Sequence, residues 1–501
     1  MKKSLQLLLK YSYPMRAALC AGLVILGLDV GMTSFSAETF YTAPAGNDNN
    51  IGTQLQPLRQ IRKALSRVKP GDTILVSDGD YLGFDVRELH PTAGLQIIIR
   101  ALGANANILP TSDRDDNRDT ILVTGSSHVV IDGLRSDHAN RAAVRVDNSP
   151  HVTIRNGVFG NNATWGIFTD FSDDLLLENN ECFGSVEQHG IYVSNSGDRP
   201  VVRGNRVHDN HDSGIQLNAD VSQGGDGIIT GALIENNIIY NNGAGGGGAL
   251  NFDGVQDSVV RNNLLFNNHA SGIICFQIDG AAGPKGMQIL HNTIDMPTDG
   301  RWALNFLQST GKNFARNNIL YNRHSFRGGL RFGDDNDLNN TDTDYNIVER
   351  IGPDDGDTRF TLAQWQAQGY ELHSLSVPLA NLFANDAATN YHLFAGSLAV
   401  DKGQPLANVS ADLDGRVRPF GAAPDIGCYE FAPPRLQIAR LENDQVQLSL
   451  SAAPTVSYRV DSSLDLISWT PLTAISTNRA WQFNEPANSS LQHRFYRLVA
   501  P

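Results

Sequence analysis

Lysine is nearly missing from the middle of this 501-residue chain: none occurs between Lys69 and Lys285. Cysteine is scarce too, present only as Cys20, Cys182, Cys275 and Cys428. That number and spacing exclude a disulfide framework and a cysteine metal motif, so the retained thiols read as small buried hydrophobes. No run of eighteen apolar residues occurs, so a comfortable membrane-spanning helix is not expected. Residues 156–346 hold no stretch of ten residues with helical periodicity. The net charge is −14, from 39 Lys and Arg against 53 Asp and Glu. Such an acidic chain, without basic clusters, is not expected to bind DNA or RNA. Its sign also repels a polyanion unless local arginines or a bound cation compensate.

Asparagine and glycine are what the chain has in excess. Of 44 Asn, 28 lie between Asn156 and Asn346, which points to repeated tight turns, because Asn and Gly tolerate left-handed backbone. Short apolar runs ending in Asn recur, as in Thr153-Ile154-Arg155-Asn156, Leu177-Glu178-Asn179-Asn180 and Val260-Arg261-Asn262-Asn263. The marked asparagines follow one another at intervals of 24 to 32 residues. A second row runs through Trp165-Gly166-Ile167, His189-Gly190-Ile191, Ser213-Gly214-Ile215 and Ser271-Gly272-Ile273. Each repeat thus holds two or three strands too short to bury a face alone, and stacked coils share a core. The expected fold is all-β, a right-handed single-stranded parallel β-helix spanning residues 37–432. Its asparagines are expected to stack at a fixed turn.

The ends read differently. Lys2, Lys3, Lys10 and Arg16 precede an apolar stretch from Ala17 to Leu28 and small residues at Ser34-Phe35-Ser36-Ala37. That is the order of a secretory signal over residues 1–36, so the mature protein is expected to be soluble, monomeric, and secreted, periplasmic or at the cell surface. Leu58, Ile61, Leu65 and Val68 lie on one helical face and suggest an N-terminal capping helix ended by Lys69-Pro70-Gly71-Asp72. After Pro433-Pro434, alternating apolar and polar residues with turn signals suggest a small β-sandwich over 433–501.

Several segments resemble a known group. Phe40-Tyr41-Thr42-Ala43-Pro44-Ala45-Gly46-Asn47-Asp48, Lys69-Pro70-Gly71-Asp72-Thr73-Ile74, Asp412-Leu413-Asp414-Gly415-Arg416 and Asp425-Ile426-Gly427-Cys428-Tyr429-Glu430 resemble the first and last coils of the pectate-lyase-like superfamily. The resemblance covers residues 40–431. It implies the fold and leaves the chemistry open among lyases, hydrolases, epimerases and binding proteins. Pectate lyases use an Arg or Lys base beside Asp-bound calcium, and only arginines such as Arg145 are on offer in the central coils. Polygalacturonase-like signatures are incomplete: Asp173-Asp174 and His189-Gly190 are present, but Gln188 precedes the histidine.

Strand alternation puts Ile191, Val193, Ile215, Leu217, Leu250 and Phe252 inside the coil. The outward row is then Arg145, Phe168, Tyr192, Gln216, Asn251 and Asn305, flanked by Asp147, Asp170, Ser194, Asn218 and Asp253. A ladder of polar side chains along one face suits a linear polymer, and an acidic polysaccharide is the expected partner. β-Elimination from a uronic acid needs a base, an acid and a group that quenches the carboxylate; His and Tyr supply the first two. The expected catalytic set is His189, Tyr192 and Arg301. The expected substrate contacts are Arg145, Gln216, Asn218, Asn251 and Asp253. Asp209, Asp212 and Asp220 are candidate ligands for a calcium ion. A polysaccharide lyase is the leading expectation. The alternatives are an inverting glycoside hydrolase with Asp220 or Asp226 opposite Asp253, a uronate epimerase, and a non-catalytic glycan-binding surface protein.

Overall fold

A computed structural model describes residues 37–110, 118–354, 356–433, 435–441, 445–451, 458–475, 481–486 and 493–499. The export signal expected at residues 1–36 lies outside them. From Thr39 to Gly352 the chain winds through three parallel sheets in turn, of twelve, eleven and eleven strands. In one coil, Thr153–Arg155 belongs to the first sheet, Val158–Gly160 to the second and Trp165–Asp170 to the third. Each strand pairs with its counterpart one coil away, as Phe168 with Tyr192 and Tyr192 with Gln216. This is the expected parallel β-helix. The residues expected inside are there: Ile191, Val193, Ile215, Leu217, Leu250 and Phe252 all belong to one apolar core running from Phe40 to Trp365.

Each Asn-Asn pair divides two tasks between its members. The first adopts left-handed backbone, with φ of 55° at Asn179, 57° at Asn236 and 53° at Asn262. The second is buried and links coils. Asn237 Oδ1 accepts from Asn205 N, while Asn237 Nδ2 donates to Val202 O and Asn263 Oδ1. The same pattern runs through Asn180, Asn205, Asn237, Asn263, Asn292, Asn318 and Asn346. Asn156 is a correction: it is a left-handed residue, and Gly157 holds the ladder position, donating its N–H to Asn180 Oδ1. A second ladder, at the next corner, joins Asn210, Asn242 and Asn268.

The capping helix is real but short, Ile61–Leu65, with Ile61 and Ala64 buried. It ends before Val68 and Lys69, where Arg67 N–H closes on Ala64 O in a tighter i→i−3 turn. At the other end Leu362–Gln366 forms a helix whose Trp365 lies against the last coils. Beyond Arg435 the strands are antiparallel, in two three-stranded sheets. Leu448 and Leu450 of one sheet and Tyr458, Val460 and Ile475 of the other share a small apolar cluster.

Candidate functional site

The third sheet carries the outward row. Register places Arg145, Phe168, Tyr192, Gln216 and Asn251 side by side on successive coils, followed by Ile274, Asn305 and Arg331. Ile274 interrupts the expected run of polar and aromatic side chains. Trp165, Phe168 and Tyr192 stack, with ring centroids 4.3 Å apart for the first pair and 5.3 Å for the second. Arg145 lies over the Phe168 ring at 5.0 Å and pairs with Asp170 at 3.2 Å. Its charge is therefore partly neutralised by the protein.

Tyr192 is the centre of the only row segment where aromatic, imidazole and amide groups meet among the described residues. Burial pushes its phenol up to about 12, opposed by a hydrogen bond from Asn218, and the negative charges of Asp279, Asp220 and Asp170 add to the rise. Asn218 Nδ2 donates to Tyr192 Oη (3.3 Å) and to Asp279 Oδ2 (3.2 Å). His189 meets Tyr192 edge to face at 5.2 Å. Burial lowers the imidazole from 6.5 to about 3, so it is neutral. Its Nδ1 accepts the Ser213 N–H at 3.1 Å, which puts its single proton on Nε2. In this state His189 is a hydrogen-bond donor to a ligand, and its acceptor nitrogen is already engaged.

The remaining expected residues divide into those the fold brings to this point and those it does not. Asn218 and Asn251 are 8% and 7% exposed, and the Oδ1 of each is buried without a hydrogen-bond partner. Such orphaned acceptors suit the hydroxyls of a sugar. Gln216 Oε1 accepts from Ser213 Oγ at 3.0 Å. Asp253 is a correction: it is 2% exposed, and its oxygens accept the N–H groups of Ile278, Asp279 and Gly280. It anchors the loop that carries Asp279 and has no face for substrate. Arg301 is a second correction. It precedes the strand Leu304–Phe306, four coils beyond the strand after His189, or roughly 19 Å at one strand spacing per coil. The two cannot act on one sugar.

The aspartates expected to bind calcium do not converge. Asp209 pairs with His208 at 2.6 Å and Asp212 with His211 at 3.0 Å, both before the strand Ile215–Asn218. Asp220 follows that strand and caps a short turn through Ser222 N–H. Among the described residues no group of three His, Cys, Asp or Glu side chains is placed to hold a metal ion. These three aspartates do not fit a common calcium ion. The hydrolase pair fails for a similar reason: Asp226 accepts the Ile228 N–H within its own turn, and Asp253 is committed to backbone. Asp279 was missed by sequence reasoning, since it lies 61 residues from Asn218.

Comparisons with known proteins agree with this architecture. A family model described as a right handed beta helix region matches residues 105–223, and one described as a protein of unknown function (DUF1565) matches residues 44–93. A pectate disaccharide-lyase from Dickeya chrysanthemi is 25% identical over 230 residues. The match covers 43% of this chain and 28% of that protein. The crystal structure of pectate lyase Pel9A superposes with a TM-score of 0.55 at 17% identity, covering 80% of this chain and 98% of that one. A rhamnogalacturonan lyase reaches a TM-score of 0.45 at 15% identity, covering 70% and 92%. The chain is a right-handed parallel β-helix protein, similar in fold to pectate lyase Pel9A, with two small antiparallel sheets at its C-terminal end.

Proposed function

We propose that this protein is a polysaccharide lyase that cleaves an acidic glycan by β-elimination on the outward face of its third sheet. The observation that carries the reading is Tyr192: a phenol held protonated by burial, fixed by Asn218, and stacked on Phe168. In β-elimination the C5 proton is removed, the C4–O bond breaks, and the leaving oxygen takes up a proton. Tyr192 Oη gives that proton. Asp279, joined to the phenol through Asn218, supplies the oxygen that removes the C5 proton. The Nε2–H of His189 and the amides of Asn218 and Asn251 hold the uronate carboxylate and hydroxyls. The likeness to a pectate disaccharide-lyase supports the same reaction class.

The test is to incubate the chain with a panel of uronate polymers while following the ultraviolet absorbance of the unsaturated product together with reducing ends. Both signals are expected to rise in parallel. Reducing ends without the absorbance would replace elimination by hydrolysis, and neither signal across the panel would leave only a binding role.

A further inference from the structure

We infer that Asn251 and the glycine turn before it form a notch in the outward row that reads an unsubstituted hydroxyl of a polyuronate, on a sugar beyond the one held at Tyr192. The inference rests on the lyase reading above and deepens it by naming the substrate class, a glycan that is not acylated at that hydroxyl. Asn251 stands two coils beyond Tyr192 in register, through Gln216, or roughly 10 Å at one strand spacing per coil. An extended uronate chain advances by nearly the strand spacing with each sugar, so the two positions face different units of one polymer. The residue three places before each member of the row decides what that member touches. Trp165 stacks on Phe168 at 4.3 Å, His189 meets Tyr192 edge to face at 5.2 Å, and Ser213 Oγ donates to Gln216 Oε1 at 3.0 Å. Before Asn251 that place falls to Gly248, in register with Ser271 of the next coil. Asn251 is 7% exposed, and its Oδ1 is buried without a hydrogen-bond partner.

The turn is pinned so that the gap stays open. Gly248 N–H donates to Ser213 Oγ at 3.3 Å, Gly245 N–H to His211 O at 2.7 Å, and Gly247 O accepts the Ser271 N–H at 3.2 Å. Gly246 and Gly247 adopt φ of 137° and 81°, where an L side chain is strained. A Cβ at Gly247 would come within 3.3 Å of Asn251 Nδ2, and one at Gly248 within 3.3 Å of Ile274 Cγ2. Bare backbone therefore borders the amide between Gln216 and Ile274. A buried acceptor without a donor costs stability until a ligand supplies one. At neutral pH the carboxylates, ring oxygens and bridging oxygens of a uronate chain only accept, and its hydroxyls alone donate. A hydroxyl also accepts, so rotation of the amide, which exchanges Oδ1 and Nδ2, keeps it paired either way. An acyl group on that oxygen removes the donor and adds bulk. Sites built to pair a substrate hydroxyl discriminate strongly against analogues that lack it.

The experiment uses the full chain with Asn251→Ala and, separately, Gly248→Ser, which gives this coil the residue its neighbours carry at Ser213 and Ser271. Far-ultraviolet spectra and melting curves of both are compared with the unsubstituted protein. Retention is measured by affinity electrophoresis in polygalacturonate and in alginate, each before and after acetylation of its hydroxyls. The unsubstituted chain should be held by polygalacturonate or alginate, and more weakly by the acetylated form of the same polymer. Each substitution is expected to weaken retention by the free-hydroxyl polymer about tenfold (about 1.4 kcal/mol) and to leave retention by the acetylated form unaffected. Equal retention of variants and unsubstituted chain overturns the notch, as does an equal loss on both forms of the polymer. Indifference of the unsubstituted chain to acetylation, or no retention by either polymer, overturns it too. Unsaturated product formed with the same kcat/KM by all three proteins removes the notch alone. Retention that depends on Asn251 and on free hydroxyls, without product, sustains the notch and removes the lyase reading.

Discussion

Tyr192 keeps its proton to about pH 12 because burial disfavours the phenolate, so at neutral pH it gives a proton more readily than it takes one. Replacing it with Phe removes that proton and preserves the stack on Phe168. We expect kcat for elimination to fall by about 10²- to 10⁴-fold with KM changed only a few-fold; a kcat within threefold of the original would move the acid elsewhere. His189 makes a statement about stability. Its folded pKa, lowered to about 3 by burial, lies below the ordinary 6.5 of the unfolded chain. Above pH 6.5 both states are neutral and the residue contributes no pH dependence. As the pH falls through that value the unfolded state takes up the proton first, so stability is lost between about pH 6.5 and 3. The slope is at most about 1.4 kcal/mol per pH unit. Melting temperatures measured from pH 7 to 4 should fall more steeply for the unsubstituted protein than for His189→Gln. Parallel curves would mean that the imidazole is already solvated.

At the scale of the coil corner, the Asn-Asn pair makes two unlike predictions for adjacent residues. Asn237→Ala leaves Asn205 N, Val202 O and part of Asn263 without their buried partners. We expect it to destabilise the chain by about 3 kcal/mol or more, since each buried orphan costs about 1–3 kcal/mol. Asn236→Gly keeps the left-handed turn (φ 57°) and should change stability by less than about 1 kcal/mol. Denaturant midpoints separate the two, and equal losses would dismiss the division of labour. These corners are also why the architecture was legible in the sequence: a buried amide must recur once per coil, and its period survives any change in loop length. The site was legible only where it follows the same register, as with Tyr192, Gln216, Asn218 and Asn251. Asp279 escaped because a loop brings it in from outside the repeat. Asp253 was misread because strand alternation says which way a side chain points and nothing about the loop that folds over it. Arg301 was misread because a residue's place within its coil does not say how many coils separate it from another.

A solenoid of this kind buries its core between neighbours, so its stability runs along one dimension and depends on how its ends are closed. Residues 58–65 close one end, where Leu58, Ile61 and Ala64 are buried in the common core. At the other end Trp365 is 1% exposed, stacked on Tyr370 at 4.6 Å and set against Phe360 and Phe332 at 5.4 and 6.4 Å. It lies against Phe332 of the penultimate coil at the far end of the third sheet. Trp365→Ala should cost about 3–5 kcal/mol as a large-to-small core substitution. In a one-dimensional array that loss is local before it is global. Hydrogen exchange should therefore quicken first in the strands Asn313–Arg316, Ile319–Asn322 and Leu330–Phe332, while strands near Ile121–Thr124 keep their protection. Exchange that rises evenly from Thr39 to Gly352 would mean that the coils unfold as one cooperative block, and the last coils would then have no independent freedom to lose.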